Sequence, residues 1–151
     1  MKNWTELENS SFFDANARER ALGMVDKGTF TEFLNPLDRY CSPHLPVLGT
    51  AVEFDDGTVC GVGLLGKHPV FVVSMEGKFI GGAIGEVNGG KMVATIRLAL
   101  KAAADIKAKY PEEYTARRPL VAVSFETGGV RLHEANAGLL AHAEGMDAFQ
   151  D

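Results

Sequence analysis

Two stretches of this chain gather glycines at spacings that suit backbone chemistry: Gly81-Gly82-Ala83-Ile84-Gly85-Glu86-Val87-Asn88-Gly89-Gly90-Lys91 and Glu126-Thr127-Gly128-Gly129-Val130-Arg131. Each follows an apolar run and leads toward a helical pattern. A loop of this kind can aim main-chain N–H groups at an anion, and the missing Cβ lets a substrate approach the backbone closely. In acyl-thioester chemistry the difficult species is an enolate, and a fixed N–H donor on its oxygen contributes roughly 10²–10³-fold in rate. The amides of Gly128, Gly129 and Val130 are the candidate oxyanion hole, although a Gly-Gly pair before a helix also fits an ordinary tight turn. In the first stretch, Gly81, Gly82, Ala83, Gly85 and Glu86 form a candidate substrate-binding loop. Its glycine load costs conformational entropy that a close backbone approach would justify. Neither GxxxxGK[ST] nor GxGxxG occurs in it, which disfavours phosphate cradling of those kinds.

Polar side chains flank both loops. His133 and Glu134 are chemically able to act as general acids, while residues of their types in a first helical turn equally serve as caps or solvated groups. Glu126 has the same two readings. Arg131 braces the second loop through Glu134 or contacts a ligand, and Glu86 is expected to orient the first loop by accepting backbone N–H bonds. Cys41 and Cys60 form no CxxC pair and give neither a zinc signature nor a disulfide framework, and Cys60 reads as a small buried hydrophobe.

The elements that must position these loops follow from periodicity. Residues 14–26 carry Ala17, Ala21, Leu22 and Val25 at helical spacing, with Gly28 as a stop. Thr29 and Glu32 have the form of a capping box and predict a second short helix through Phe33 and Leu34. Pro36, Pro43 and Pro46 then mark an irregular wrapping stretch, so residues 1–46 read as an N-terminal helical arm and residues 47–151 as the core. Three strands are expected at 49–54, 58–65 and 70–75, joined by turns at 55–57 and 66–69. The first glycine loop leads into a helix from Met92 to Lys109, ended by Tyr110-Pro111. A charged connection over 112–118 precedes a buried strand at 120–125, the second loop, and a helix from about Leu132. That helix places Ala135, Leu139, Leu140, Ala143, Met146 and Phe149 on one broad face. It reaches Asp151 without a stop signal, so the architecture is expected to continue.

At 151 residues and 46% hydrophobic content the chain can bury one core, and its net charge of -5 argues against a nucleic-acid surface. No run approaches the roughly 20 apolar residues of a membrane span, and the N-terminus lacks a leader pattern, so a cytoplasmic location is expected.

The segments 79–91 and 126–144, together with 11–26, 33–46 and the strands after them, resemble the beta subunit of biotin-independent malonate decarboxylase, within the carboxyltransferase branch of the crotonase-like superfamily. The resemblance covers nearly all of the chain and implies a crotonase-like α/β fold of repeated ββα units. It implies that the amides of Gly128, Gly129 and Val130 hold the enolate of a malonyl thioester as CO2 leaves, and it shifts the reading of that loop toward function. The thioester would ride on the phosphopantetheine-like arm of an acyl carrier protein, in a complex with a gamma subunit. No metal and no biotin are implied. The resemblance extends over half of such a subunit, and activity is expected to need partners. Lys101, Lys107, Lys109, Arg117 and Arg118 would suit an acidic carrier, but Asp105, Glu112 and Glu113 dilute the patch, and a solvated charged face is the simpler reading. The alternatives are a carboxyltransferase of a biotin-dependent acyl-CoA carboxylase, disfavoured by the lack of a four-cysteine ribbon, a non-catalytic interaction fragment, and a thioester hydrolase or hydratase.

Overall fold

The computed structural model describes residues 11–48, 54–134 and 136–150. The order of principal elements is α1 (Ala17–Gly23), β1 (Thr31–Phe33), β2 (Thr58–Leu65), β3 (His68–Met75), α2 (Glu86–Lys109), α3 (Tyr114–Arg117), β4 (Leu120–Ser124) and α4 (Asn136–Ala148). The strands form one sheet in the order β1-β2-β3-β4, antiparallel except for the parallel pair β3 and β4. Among the described residues, no helix is long and apolar enough to cross a membrane.

Side chains alternate across a pleated sheet, and here the two faces meet different helices. Val59, Val70 and Val72 pack with Ala17, Ala21 and Val25 of the arm, and Cys60 and Val73 pack with Met92, Val93, Ile96 and Ala148 on the other side. The expected first strand at 49–54 falls almost wholly outside the described residues, and Phe54 itself sits in a bend. The expected helix after Thr29 is replaced by β1, which pairs Thr31 with Val62 and Phe33 with Cys60. The capping pattern is consumed otherwise. Thr29 Oγ1 donates to the Asp26 carbonyl at 2.7 Å and accepts the Leu64 amide at 3.0 Å, while the Glu32 carboxylate binds Arg18 at 2.9 Å. A capping box does exist, one helix earlier: Asn16 Oδ1 accepts the Glu19 amide at 3.0 Å and Glu19 accepts the Asn16 amide at 2.9 Å.

Strands β2 and β3 with α2 make one ββα unit, and β4 with α4 repeats its strand-loop-helix portion. Helix α2 begins six residues before the expected Met92, because Asn88 Oδ1 reaches back to the Gly85 amide at 2.6 Å and caps the first turn. Gly89 therefore lies inside the helix, where a Cβ would come within 2.7 Å of the Ala141 Cβ, so its absence lets α4 sit close. Nothing in the structure explains Gly90. Strand β4 ends at Ser124 and, among the described residues, pairs only with β3 and leaves Val121 exposed, so it is less buried here than its apolar run suggested. Helix α4 buries its small residues Gly138, Gly145 and Ala148 and leaves Leu139, Leu140, Met146 and Phe149 exposed.

Burial pushes the Cys60 thiol up to about 11, whereas Cys41 is partly accessible, with its own thiol raised by burial and by the charges of Asp55 and Glu134. A thiol reagent at neutral pH is expected to label one site per native chain, slowly and at Cys41, with Cys60 reacting only in denaturant. Peptide mapping of the labelled chain checks this, and native labelling of Cys60 would contradict the burial.

Candidate functional site

Parallel neighbouring strands deliver their following loops to the same edge of the sheet, which brings the two glycine-rich segments side by side beyond the C-terminal ends of β3 and β4. They are joined there by main-chain bonds. Gly128 donates to the Gly81 carbonyl at 2.9 Å, Ile84 to Gly129 at 2.8 Å, and Arg131 to Ile84 at 2.8 Å. The last two form a parallel bridge between Ile84 and Val130. In such a bridge only Ile84 spends its own N–H and C=O on the partner, so the peptide groups of Val130 face away.

The three candidate donors are thus in different states. The Gly128 N–H is committed to Gly81, and the Gly129 N–H meets Thr127 Oγ1 at 3.1 Å, a hydroxyl on an exposed side chain. The Val130 N–H has no acceptor among the described residues. Gly129 has φ 117, a conformation L side chains rarely adopt, and a Cβ there would meet nothing within 4 Å. Gly81 is likewise open, while Ile80 before it holds φ 50, an outlier for a β-branched residue. Backbone strain of this kind clusters at ligand sites.

Beneath the loops lies a buried ion cluster. The side chains of Arg131, Asp55 and Glu134 are all 0% exposed. Arg131 Nη1 donates to Asp55 Oδ2 at 2.8 Å and to Glu134 Oε1 at 2.9 Å, and Nη2 donates to the Ala83 carbonyl at 3.1 Å. The other Glu134 oxygen accepts the Glu86 amide, and Asp55 Oδ1 accepts the Gly57 amide at 3.1 Å. Burial by itself lowers the Arg131 guanidinium's hold on its proton, and the hydrogen bonds and charges of Asp55 and Glu134 more than offset this, leaving its pKa above the ordinary value. The guanidinium also stacks 5.6 Å from the Phe79 ring centroid. Arg131 is therefore a brace between the loops and does not present its side chain to a ligand. Glu134 has both oxygens occupied in the interior, which suits bracing and not proton transfer.

The remaining sequence candidates divide accordingly. Gly82 is buried against Glu126, and Gly85 leaves room for the Arg131–Glu134 pair, so these two glycines serve packing. Ala83 contributes its carbonyl to Arg131 and to Asn88. Glu126 pairs with the buried Arg20, and a backbone hydrogen bond from Gly77, then Arg20, hold its carboxyl below the usual range. His133 is exposed, and no hydrogen bond orients it among the described residues. Glu86 does not accept loop amides: its carboxylate meets His44 Nδ1 at 3.1 Å. Asp55 and His44 carried no signal in the sequence, since Asp55 looked like a turn residue and His44 lay in the proline-marked stretch. Two members of the basic cluster are matched locally, Lys101 by Asp105 at 2.7 Å and Arg117 by Glu113 at 2.7 Å, which suits a solvated face.

A separate cleft of about 640 Å³ lies against α1, lined by Asn16, Arg18, Glu32, Asp56 and Glu76 among others. Arg18 is taken up by Asp56 and Glu32 at 2.7 and 2.9 Å, and with Glu19 and Glu76 also in the lining this wall is poorly suited to an anion. The glycine loops, with the Val130 N–H unspent, are the better place for an anion.

No family model matches the chain. It is 60% identical over its whole length to the malonyl-S-ACP:biotin-protein carboxyltransferase of Malonomonas rubra, of which it covers 48%. Among solved structures, it matches a Pseudomonas malonate decarboxylase hetero-tetramer in complex with malonate, at a TM-score of 0.79 and 38% identity, over 97% of this chain and 50% of that one. The Pseudomonas MdcD–MdcE hetero-dimer matches at a TM-score of 0.67 and 36% identity, over 94% of this chain and 49% of that one. Paired backbone loops at the ends of parallel strands, in this architecture, define a crotonase-like carboxyltransferase fold. Within that class the chain is similar over nearly its whole length to the Malonomonas carboxyltransferase and to a Pseudomonas malonate decarboxylase chain, and it spans about half the length of the relatives it matches.

Proposed function

We propose that this chain is the part of a malonate decarboxylase carboxyltransferase subunit that holds a malonyl thioester while its carboxyl group departs. The observation that carries this is the Val130 N–H, left unspent by the register of the Ile84–Val130 bridge where the two loops join. When the bond to the carboxyl carbon breaks, the electron pair moves onto the thioester oxygen. An amide already aimed at that oxygen stabilises the enolate more than the ground state. The Gly129 N–H, held only by the Thr127 hydroxyl, is the second donor, and Gly128 serves as the anchor. The thioester is carried on the phosphopantetheine-like arm of an acyl carrier protein, and a gamma-type subunit completes the assembly, as the heteromeric Pseudomonas relatives and the name of the Malonomonas relative suggest. That name also favours a second reading, in which the carboxyl group passes to a biotin-bearing protein instead of leaving as CO2.

The test uses the chain assembled with candidate gamma and carrier subunits, and malonyl thioester labelled in its free carboxyl. Val130 does not have a positive φ, whereas Gly129 at φ 117 is incompatible with a proline ring, so Val130→Pro is the cleaner removal of a donor. It is expected to slow loss of label roughly 10²–10³-fold with the complex intact. Undiminished turnover by this variant would overturn the role given to the Val130 amide, and no turnover by the wild-type assembly would overturn the proposal and favour a non-catalytic fragment. Adding a biotinylated acceptor protein separates the two readings: label captured on biotin supports transfer, and label lost as CO2 supports decarboxylation.

A further inference from the structure

Departure of the carboxyl group leaves a carbanion equivalent that must be protonated, and the buried, doubly occupied Glu134 and the unoriented His133 are poorly suited to supply the proton. Resting on the reading above, we infer that His44 is the proton donor to the enolate carbon, oriented by Glu86 and Ser42. Its Nδ1 lies 3.1 Å from Glu86 Oε2 and 3.4 Å from Ser42 Oγ, and its main-chain N–H donates to the same hydroxyl at 3.2 Å. A carboxylate only accepts, so Nδ1 carries a proton toward Glu86 in either charge state, and Nε2 is the atom free to give one up. The imidazole side chain is 53% exposed, which lets it recover a proton from solvent after each turnover.

The loops themselves bring His44 into place. Glu86 is the first residue of α2, directly after Gly85, and its amide is fixed by Glu134. The 3-10 turn Leu45–Leu48 that follows His44 packs against the 3-10 turn Leu132–Glu134 that follows the Val130 loop. Among the described residues the charged group in direct contact with the imidazole is Glu86; Cys41 lies three residues before it on the same segment, and in the Asp55, Arg131 and Glu134 cluster two carboxylates face one guanidinium. In the step itself the bond from C2 to the carboxyl carbon breaks and CO2 leaves. The electron pair on C2 then takes the Nε2 proton, giving the methyl group of an acetyl thioester and a neutral imidazole.

The assembled complex with malonyl thioester is used, comparing wild type, His44→Ala, His44→Asn, Glu86→Gln and Val130→Pro. For His44→Ala, kcat is expected to fall about 10²-fold with KM little changed, the basic limb of the pH–rate profile to disappear, and added imidazole to restore part of the rate. His44→Asn should keep the fold and stay slow, and Glu86→Gln should lie between. Wild-type kcat and an unchanged pH profile in His44→Ala overturn the inference, as does a loss that imidazole does not restore while the pH profile of the residual activity stays the same. If Val130→Pro is impaired and His44→Ala is not, only the proton donor is wrong. An inactive wild-type assembly removes both proposals together.

Discussion

Arg131→Met is expected to cost roughly 3–5 kcal/mol of folding stability, measured by urea unfolding followed by circular dichroism. The guanidinium is wholly buried between Asp55 and Glu134, so its removal leaves two carboxylates facing each other out of reach of water. It also strips the Ala83 carbonyl of a donor and the Phe79 ring of its cation. A well-packed ion cluster can be nearly neutral against an apolar replacement of all its members, yet breaking it one-sidedly exposes the full desolvation penalty. The triple variant Asp55→Leu, Arg131→Met, Glu134→Leu is therefore expected to recover part of the loss. It should not recover all of it, because the Gly57 and Glu86 amides also lose their acceptors. A loss below about 1 kcal/mol in the single variant would mean that the cluster is not what holds the loops.

Gly82→Ala is the second large effect, again roughly 3–5 kcal/mol, for an unrelated reason. The residue sits at φ 68, and an added Cβ would overlap the Glu126 carbonyl oxygen, with the Glu126 carbonyl carbon at 2.9 Å and the Thr127 Cα at 3.0 Å. These neighbours are backbone, so no side-chain rotation relieves the contact, and the second loop must move. Gly129→Ala makes the informative comparison. Its φ of 117 is also strained, but a Cβ there meets open space, so only the conformational cost of about 1–3 kcal/mol remains. Equal destabilisation by the two variants would show that dihedral strain alone matters, and that the closeness of the loops is not a constraint.

Strand β2 and the end of α2 were legible because each rests on local information, a period of two or a helical period with a proline stop; the last helix, expected from about Leu132, starts instead at Asn136, after a 3-10 turn over Leu132–Glu134. The pairing of the two glycine loops was legible only as a repeat of strand, loop and helix. That repeat implies adjacency once the strands are parallel neighbours. What the pattern did not carry was tertiary. Thr29 and Glu32 match a capping box, yet Arg18 and Leu64 claim them, and strand pairing with β2 wins. The helix start at Glu86 was hidden because glycines at 89 and 90 read as loop, although Gly89 is there to admit α4. The site divided the same way. Amide donors were nameable from the Gly-Gly motif, but which amide stays unspent depends on the bridge register. The Asp55–Arg131 pair spans 76 positions and leaves no trace in spacing.

The bridge between Ile84 and Val130 is built wholly from main-chain atoms, while the brace behind it is made of the Arg131, Asp55 and Glu134 side chains. Loop shape and loop lining are thus specified by different positions. The side chain at 130 can drift without altering the pairing itself, whereas Ile84 is held in the core and must keep its N–H for the bridge. A scaffold of that kind is free to vary its lining by substitution while its geometry is inherited unchanged.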